Sequence, residues 1–215
     1  MKKTVENLNG IYLVIDPAMP EEQVLSKLKA ALAGGISIVQ IWNNWPKNFV
    51  LDAKIGLIDQ ISALTKKYEV PLLINEEWGL VKKTPLNGVH FDAIPPDFKA
   101  IRADIGEHAI FGITCSNNLE IIQWAEENTC DYISFCAMYP SSSVSSCEIV
   151  SFETIKKARE ITSKPIFLSG GINPQKIKNF KELNIQGVAV ISGIMSAESP
   201  ETETQAYRQA LKHIK

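Results

Sequence analysis

Short apolar runs recur along this chain at 11–15, 37–41, 71–74, 88–91, 109–114, 132–136, 166–169 and 187–191. Each is four to six residues long and nearly unbroken in its apolar character. Runs this short are read as strands, and unbroken runs as parallel strands buried on both faces. Between them the apolar residues switch to helical spacing. Val24, Leu28, Ala31 and Leu32 share a face, as do Val50, Ala53, Leu57, Ile61 and Leu64, and later Ile177, Phe180 and Leu183. Helix starts are marked by Pro20 with Glu21 and Glu22, by Asn118, by Ser151 with Thr154, and by Asn173 before Pro174. Strands alternating with helices predict an α/β protein, a single (β/α)8 TIM barrel spanning residues 1–215. A doubly wound open sheet is the rival. No G-x-G-x-x-G follows the first run, and eight βα units would make a large sheet.

The last two runs end abruptly in small residues. Ser169-Gly170-Gly171-Ile172 closes one, and Ile191-Ser192-Gly193 closes the other. Gly170 and Gly171 have no side chain to block an anion, and Ser192 and Gly193 offer N–H groups at a helix start. Consecutive loops of this kind late in a βα chain match the phosphate site of a (β/α)8 barrel. The polar stretch 141–146 reads as the loop after the sixth strand.

Composition adds exclusions. The 215 residues are 45% hydrophobic and 21% charged, with a net charge of −2. The pI is about 6.0. Lys and Arg are scattered, so no nucleic-acid partner is expected. The first residues carry Lys2 and Lys3 with no apolar run behind them, so no secretory signal is expected. No stretch approaches a membrane span. Cys115, Cys130, Cys136 and Cys147 show no C-x-x-C spacing, which points to reduced thiols in a cytoplasmic protein rather than zinc.

The run of landmarks Tyr12–Asp16, Gly34–Gln40, Pro71–Asn75, Gly88–His90, Cys130–Tyr132, Ser169–Ile172 and Val188–Ile194 resembles the thiamine phosphate synthase and TenI superfamily of compact barrels. The resemblance runs nearly end to end. It implies a synthase that joins hydroxymethylpyrimidine diphosphate to thiazole phosphate and releases diphosphate. A pyrimidine cation is left behind and captured by the thiazole nitrogen. Cations and Mg²⁺ are needed around the leaving diphosphate, where charge grows in the transition state.

Several positions depart from the family pattern. After the second strand the family has Gln-Leu-Arg-x-Lys, and here Gln40 is kept while Trp42 and Asn44 replace the cations. After the third strand Asn75 is kept, with Glu76 in place of an aspartate. After the fourth, Pro95 stands at the family's metal-binding aspartate, although Asp92 lies nearby. Thr114 matches a family serine. After the sixth strand, where the family has Thr-x-Thr-Lys, Ser141 and Ser143 keep the hydroxyls and Val144 replaces the lysine. The TenI histidine position is Ala137. A cation 4 Å from a phosphate oxygen contributes about 4 kcal/mol at an effective dielectric of 20, before desolvation. Losing three should weaken diphosphate binding badly.

The resemblance therefore implies substrate and phosphate binding by Gln40, Asn75, Thr114, Ser141, Ser143, Gly170, Gly171, Ile191, Ser192 and Gly193, and assigns no catalytic residue. Mg²⁺ is expected only with ligand, at Glu76. Trp42, Trp45, Trp78 and Tyr139 all follow strands. Trp42, Trp78 and Tyr139 are candidates to stack on a planar ring. His90 is read as a packed strand-end residue, and Cys136 as a small buried hydrophobe. The partner is a phosphorylated small molecule, thiazole phosphate or thiamine phosphate, and a homodimer is left open. Three functions stand. One is a divergent synthase borrowing a lysine such as Lys47. Another is a TenI-like thiazole phosphate isomerase. The third is a non-catalytic or regulatory barrel that holds a phosphorylated heterocycle.

Overall fold

The computed structural model describes residues 8–140 and 148–214. Eight parallel strands close into a barrel in sequence order. They are β1 (Gly10–Ile15), β2 (Ile38–Ile41), β3 (Leu72–Asn75), β4 (Gly88–Phe91), β5 (Ile110–Thr114), β6 (Tyr132–Phe135), β7 (Ile166–Ser169) and β8 (Gly187–Val190). The first strand closes the ring on the last, with Gly10 opposite Gly187 and Tyr12 opposite Ala189. Nearly every strand residue is buried, because helices cover the outer face and side chains fill the inside.

The helices are α1 (Glu21–Gly34), α2 (Leu51–Lys67), α3 (Phe98–Ile105), α4 (Leu119–Glu127), α5 (Phe152–Ile161), α6 (Pro174–Ile177), α7 (Ser192–Met195) and α8 (Pro200–Lys212). Three of the expected starts are capped. The side chains of Asn118, Ser151 and Asn173 accept from the backbone N–H of Glu120, Thr154 and Lys176. Pro20 opens α1 without a side-chain cap. One expectation is corrected. No α-helix links β3 to β4; a 3₁₀ turn at Trp78–Leu80 makes that connection. Only about a dozen residues separate these strands, and the segment from Glu77 to Asn87 includes Gly79, Pro85 and the polar pair Lys82-Lys83, which cannot sustain a longer amphipathic helix. The chain still carries eight helices among its described residues, because α7 and α8 both follow β8.

Two apolar layers result. One lies between sheet and helices. The other fills the lower barrel with Leu8, Tyr12, Ile38, Leu73, Ile110, Tyr132 and Phe167. Tyr12 meets Phe167 and Tyr132 edge-on, with centroids 5.5 and 5.8 Å apart, the arrangement ring quadrupoles favour. Gly112 makes room for this plug. A Cβ there would stand 2.0 Å from Cζ of Tyr132. No helix among the described residues is long and apolar enough to cross a membrane.

Candidate functional site

Above the aromatic plug the inward-facing residues turn polar, and a cavity of about 700 Å³ opens at the C-terminal ends of the strands. Strand alternation explains the change. Inward positions two residues beyond the plug carry Val14, Gln40, Asn75, Ser134 and Ser169, and Thr114 stands four beyond Ile110. This is the end at which barrels of this kind place their chemistry.

A buried hydrogen-bonded chain forms the floor. Tyr12 donates its hydroxyl proton to Oε1 of Gln40. The Tyr12 oxygen is then an acceptor, so the Tyr132 hydroxyl, 2.7 Å away, donates to it. Tyr132 in turn accepts from Nδ1 of His90 at 2.9 Å. That fixes the His90 tautomer, and Nε2 accepts from the Thr114 hydroxyl at 2.9 Å. Ser134 Oγ lies 3.1 Å from Thr114 and supplies the next donor. Gln40 itself lines the cavity. Burial pushes both tyrosine hydroxyls well above their usual range. Burial also pulls His90 down from 6.5 to about 4, with Asp92 opposing. His90 is neutral at pH 7. It is a packed strand-end residue as expected, and it also lines the cavity.

The rim above β1 to β4 carries carboxylates. Nδ2 of Asn44 donates to both Asp16 oxygens, at 3.0 and 3.2 Å. Oε1 of Glu76 accepts from the backbone N–H of Asp92 at 2.6 Å. Burial raises the Glu76 carboxyl, the Asp92 N–H lowers it, and the Asp92 charge raises it further. Among the described residues no three His, Cys, Asp or Glu side chains gather as metal ligands. Glu76 has one oxygen already engaged and is too thin a ligand set for Mg²⁺ by itself. No Lys or Arg lines the cavity among the described residues; its charged lining is Asp92 and Glu203. Lys54 pairs with Glu77 and lies over the Trp45 ring. Lys47 is exposed and outside the lining.

The opposite wall is formed by the ends of β7 and β8. Gly170, Gly171, Ile191, Ser192 and Gly193 all line the cavity. The two glycines have a packing reason in addition to the one the sequence suggested. Both have left-handed backbone, with φ of +87° and +62°. A Cβ on Gly170 would lie 2.4 Å from the Ala137 Cβ, and one on Gly171 would lie 2.5 Å from the Pro140 carbonyl oxygen. The missing side chains therefore admit the segment after β6. Tyr207 from α8 closes this wall, its hydroxyl donating to the Ile172 carbonyl at 2.7 Å.

Gln40, Asn75, Thr114 and Trp42 are brought together at the cavity as the sequence implied. Trp78 and Tyr139 are not. Trp78 begins the 3₁₀ turn and packs on the outer core. Tyr139 packs against Phe180, with Lys176 4.4 Å above its ring and Asn179 donating to its hydroxyl. Cys136 is half-buried and lines the cavity, so it is not the buried hydrophobe expected. Ser141, Ser143 and Val144 lie outside the described residues. Ser134, Ser169, Glu203 and Tyr207 were given no role from sequence. The period of two along β6 and β7 could have placed the serines. Glu203 and Tyr207, one turn apart on α8, carry no local signal of a cavity.

The thiamine monophosphate synthase family model matches residues 11–194. The thiamine-phosphate synthase of Clostridium tetani (strain Massachusetts / E88) is 32% identical over 189 residues, covering 87% of this chain and 88% of that protein. That of Methanobrevibacter smithii is 29% identical, covering 91% and 92%. A thiamine phosphate pyrophosphorylase structure from Pyrococcus furiosus superposes with a TM-score of 0.81 at 22% identity, covering 95% of this chain and 96% of that one. The chain belongs to the thiamine monophosphate synthase family.

Proposed function

We propose that this barrel binds a phosphorylated thiamine precursor, thiazole phosphate or thiamine phosphate, in its C-terminal cavity. As a synthase releasing diphosphate it turns over slowly. The observation that carries this reading is the lining of the cavity. Backbone-rich loops form one wall, and no Lys or Arg lines the cavity among the described residues. Leaving-group stabilisation needs preorganised positive charge. Trp42 and Asn44 stand where the family pattern has cations, and Asn44 is already bound to Asp16.

In this reading Gln40 and the Thr114 and Ser134 hydroxyls orient a ring on the cavity floor, and Trp42 covers it. The loops at Gly171 and Gly193 face the phosphate. Mg²⁺ enters only with a bound diphosphate, through Glu76, and no step here depends on it. The protein works in the cytoplasm with reduced thiols. Buried Cys115 and Cys130 have thiols pushed up by burial, Cys130 to about 12, which suits inert packing.

The tie between Asn44 and Asp16 favours a second reading, a non-catalytic barrel that holds the phosphorylated heterocycle. An isomerase of the TenI type is less well supported. Its acid–base position is Ala137, a buried methyl whose backbone is bonded to Glu148 and Val150.

Calorimetry with each precursor separately tests the reading. Thiazole phosphate is expected to bind, and the pyrimidine diphosphate to bind about tenfold or more weakly, a difference of about 1.4 kcal/mol. Tight diphosphate binding with rapid turnover would overturn it.

A further inference from the structure

Glu203 is the unexpected group at the wall formed by β7 and β8. It lines the cavity together with Gly171, Ile172, Ser192, Gly193 and Tyr207. It is half-buried and sits one helical turn before Tyr207 on the same face of α8. Its charge reaches the Tyr207 hydroxyl, which is raised first by burial and then by Glu203. The Tyr207 hydroxyl also occupies the space beside Gly193, where a Cβ would lie 2.3 Å from it. That hydroxyl is engaged by Ile172 and cannot turn its proton to a ligand. Glu203 therefore lines the same cavity as the proposed phosphate wall, its charge felt at the hydroxyl beside Gly193, with no Lys or Arg among the described lining residues to offset it.

A carboxylate has only acceptor lone pairs. Against a fully ionised oxyanion it is repulsive, the more so in a partly desolvated site. Against an oxyanion that keeps one proton it accepts a short charge-assisted hydrogen bond. Phosphate monoesters have a second pKa of about 6, so the protonated monoanion is accessible near neutral pH. Sulfate offers no such proton. We propose that Glu203 is a specificity-determining residue: it accepts the remaining proton of a phosphate monoester, so the site takes the protonated monoanion and rejects anions that carry no proton. This rests on the reading of the β7–β8 wall as the phosphate site.

Inorganic phosphate and sulfate are the probes, titrated at pH about 6 into the natural protein, Glu203→Gln and Glu203→Ala. Backbone amide shifts of Gly171, Ile172 and Gly193 are followed by two-dimensional NMR. The natural protein is expected to prefer phosphate over sulfate by about tenfold or more. Both variants should bring the two anions within about twofold, chiefly through gained sulfate affinity. Equal binding by the natural protein, or a preference that survives in both variants, overturns the role of Glu203 and leaves the phosphate reading standing. If neither anion moves these amides in any of the three proteins, the phosphate reading fails and this inference fails with it.

Discussion

Nδ1 of His90 lies 2.9 Å from the hydroxyl of Tyr132, and the two rings are nearly parallel at 18° with centroids 5.6 Å apart. The imidazole is 5% exposed and sits in the middle of the buried chain from Gln40 to Ser134. Its protonation is therefore a folding event as well as a local one.

Burial holds His90 down from 6.5 to about 4. Between those values the unfolded chain takes up a proton that the folded chain does not. The resulting stability is fully present above pH 6.5 and is lost as pH falls to 4. A shift of this size corresponds to about 3 kcal/mol. Urea unfolding at a series of pH values should show the natural protein losing more stability on acidification than His90→Gln. Parallel curves would show that His90 does not set the acid limit.

Gly112 and Tyr132 face each other across β5 and β6. A methyl at Gly112 would land 2.0 Å from the ring edge and 2.3 Å from the hydroxyl. Gly112→Ala should destabilise the fold by about 2–3 kcal/mol, the usual cost of overpacking with a displaced hydrogen bond. Adding Tyr132→Leu should recover part of that loss. The urea midpoint reads both. A Gly112→Ala protein as stable as the natural one would mean that the plug is loosely packed.

The eight strands and most helix starts were legible in the sequence because parallel barrel strands are apolar on both faces and caps are local. Asn118, Ser151 and Asn173 act within three residues of themselves. Gln40, Asn75 and Thr114 were legible for a similar reason, since each ends a strand or lies one residue from its end. Trp78 and Tyr139 also follow strands, yet the turn after each carries the ring outward, and only tertiary packing decides that. The two glycines after β7 also serve packing, which the sequence alone did not indicate. Their crowding comes from Ala137 and Pro140, more than thirty residues away. Glu203 was illegible because nothing on α8 announces that its first turn faces the barrel mouth.

Ligand-free protein should show no binding of Mg²⁺ at micromolar concentration by calorimetry. Glu76 gives one oxygen to the Asp92 N–H, and Pro95 has no side-chain oxygen to add. Mg²⁺ needs near-octahedral oxygen ligands and keeps its waters unless carboxylates and phosphates replace them. A micromolar affinity without ligand would reveal a site among carboxylates that the fold keeps apart.

Synthase turnover should respond to charge restored at Trp42, Asn44 and Val144. Trp42 lines the cavity, while Asn44 stands at the rim on Asp16. A lysine introduced at Asn44 would find the Asp16 carboxylate as a partner, and an arginine at Trp42 would enter the cavity directly. Val144 lies outside the described residues and enters on the family pattern alone. One preorganised donor to developing negative charge contributes about 3 kcal/mol, or about a hundredfold in rate. Three such groups act as a unit, so their effects need not add. The combined variant Trp42→Arg, Asn44→Lys and Val144→Lys should form thiamine phosphate from both precursors about a hundredfold or more faster than the natural protein. Thiazole phosphate should still bind, because its proposed phosphate wall at β7 and β8 is untouched, but more weakly for want of the Trp42 cover. A natural protein as fast as the variant would place the leaving-group stabilisation elsewhere and end the case for a weakened synthase.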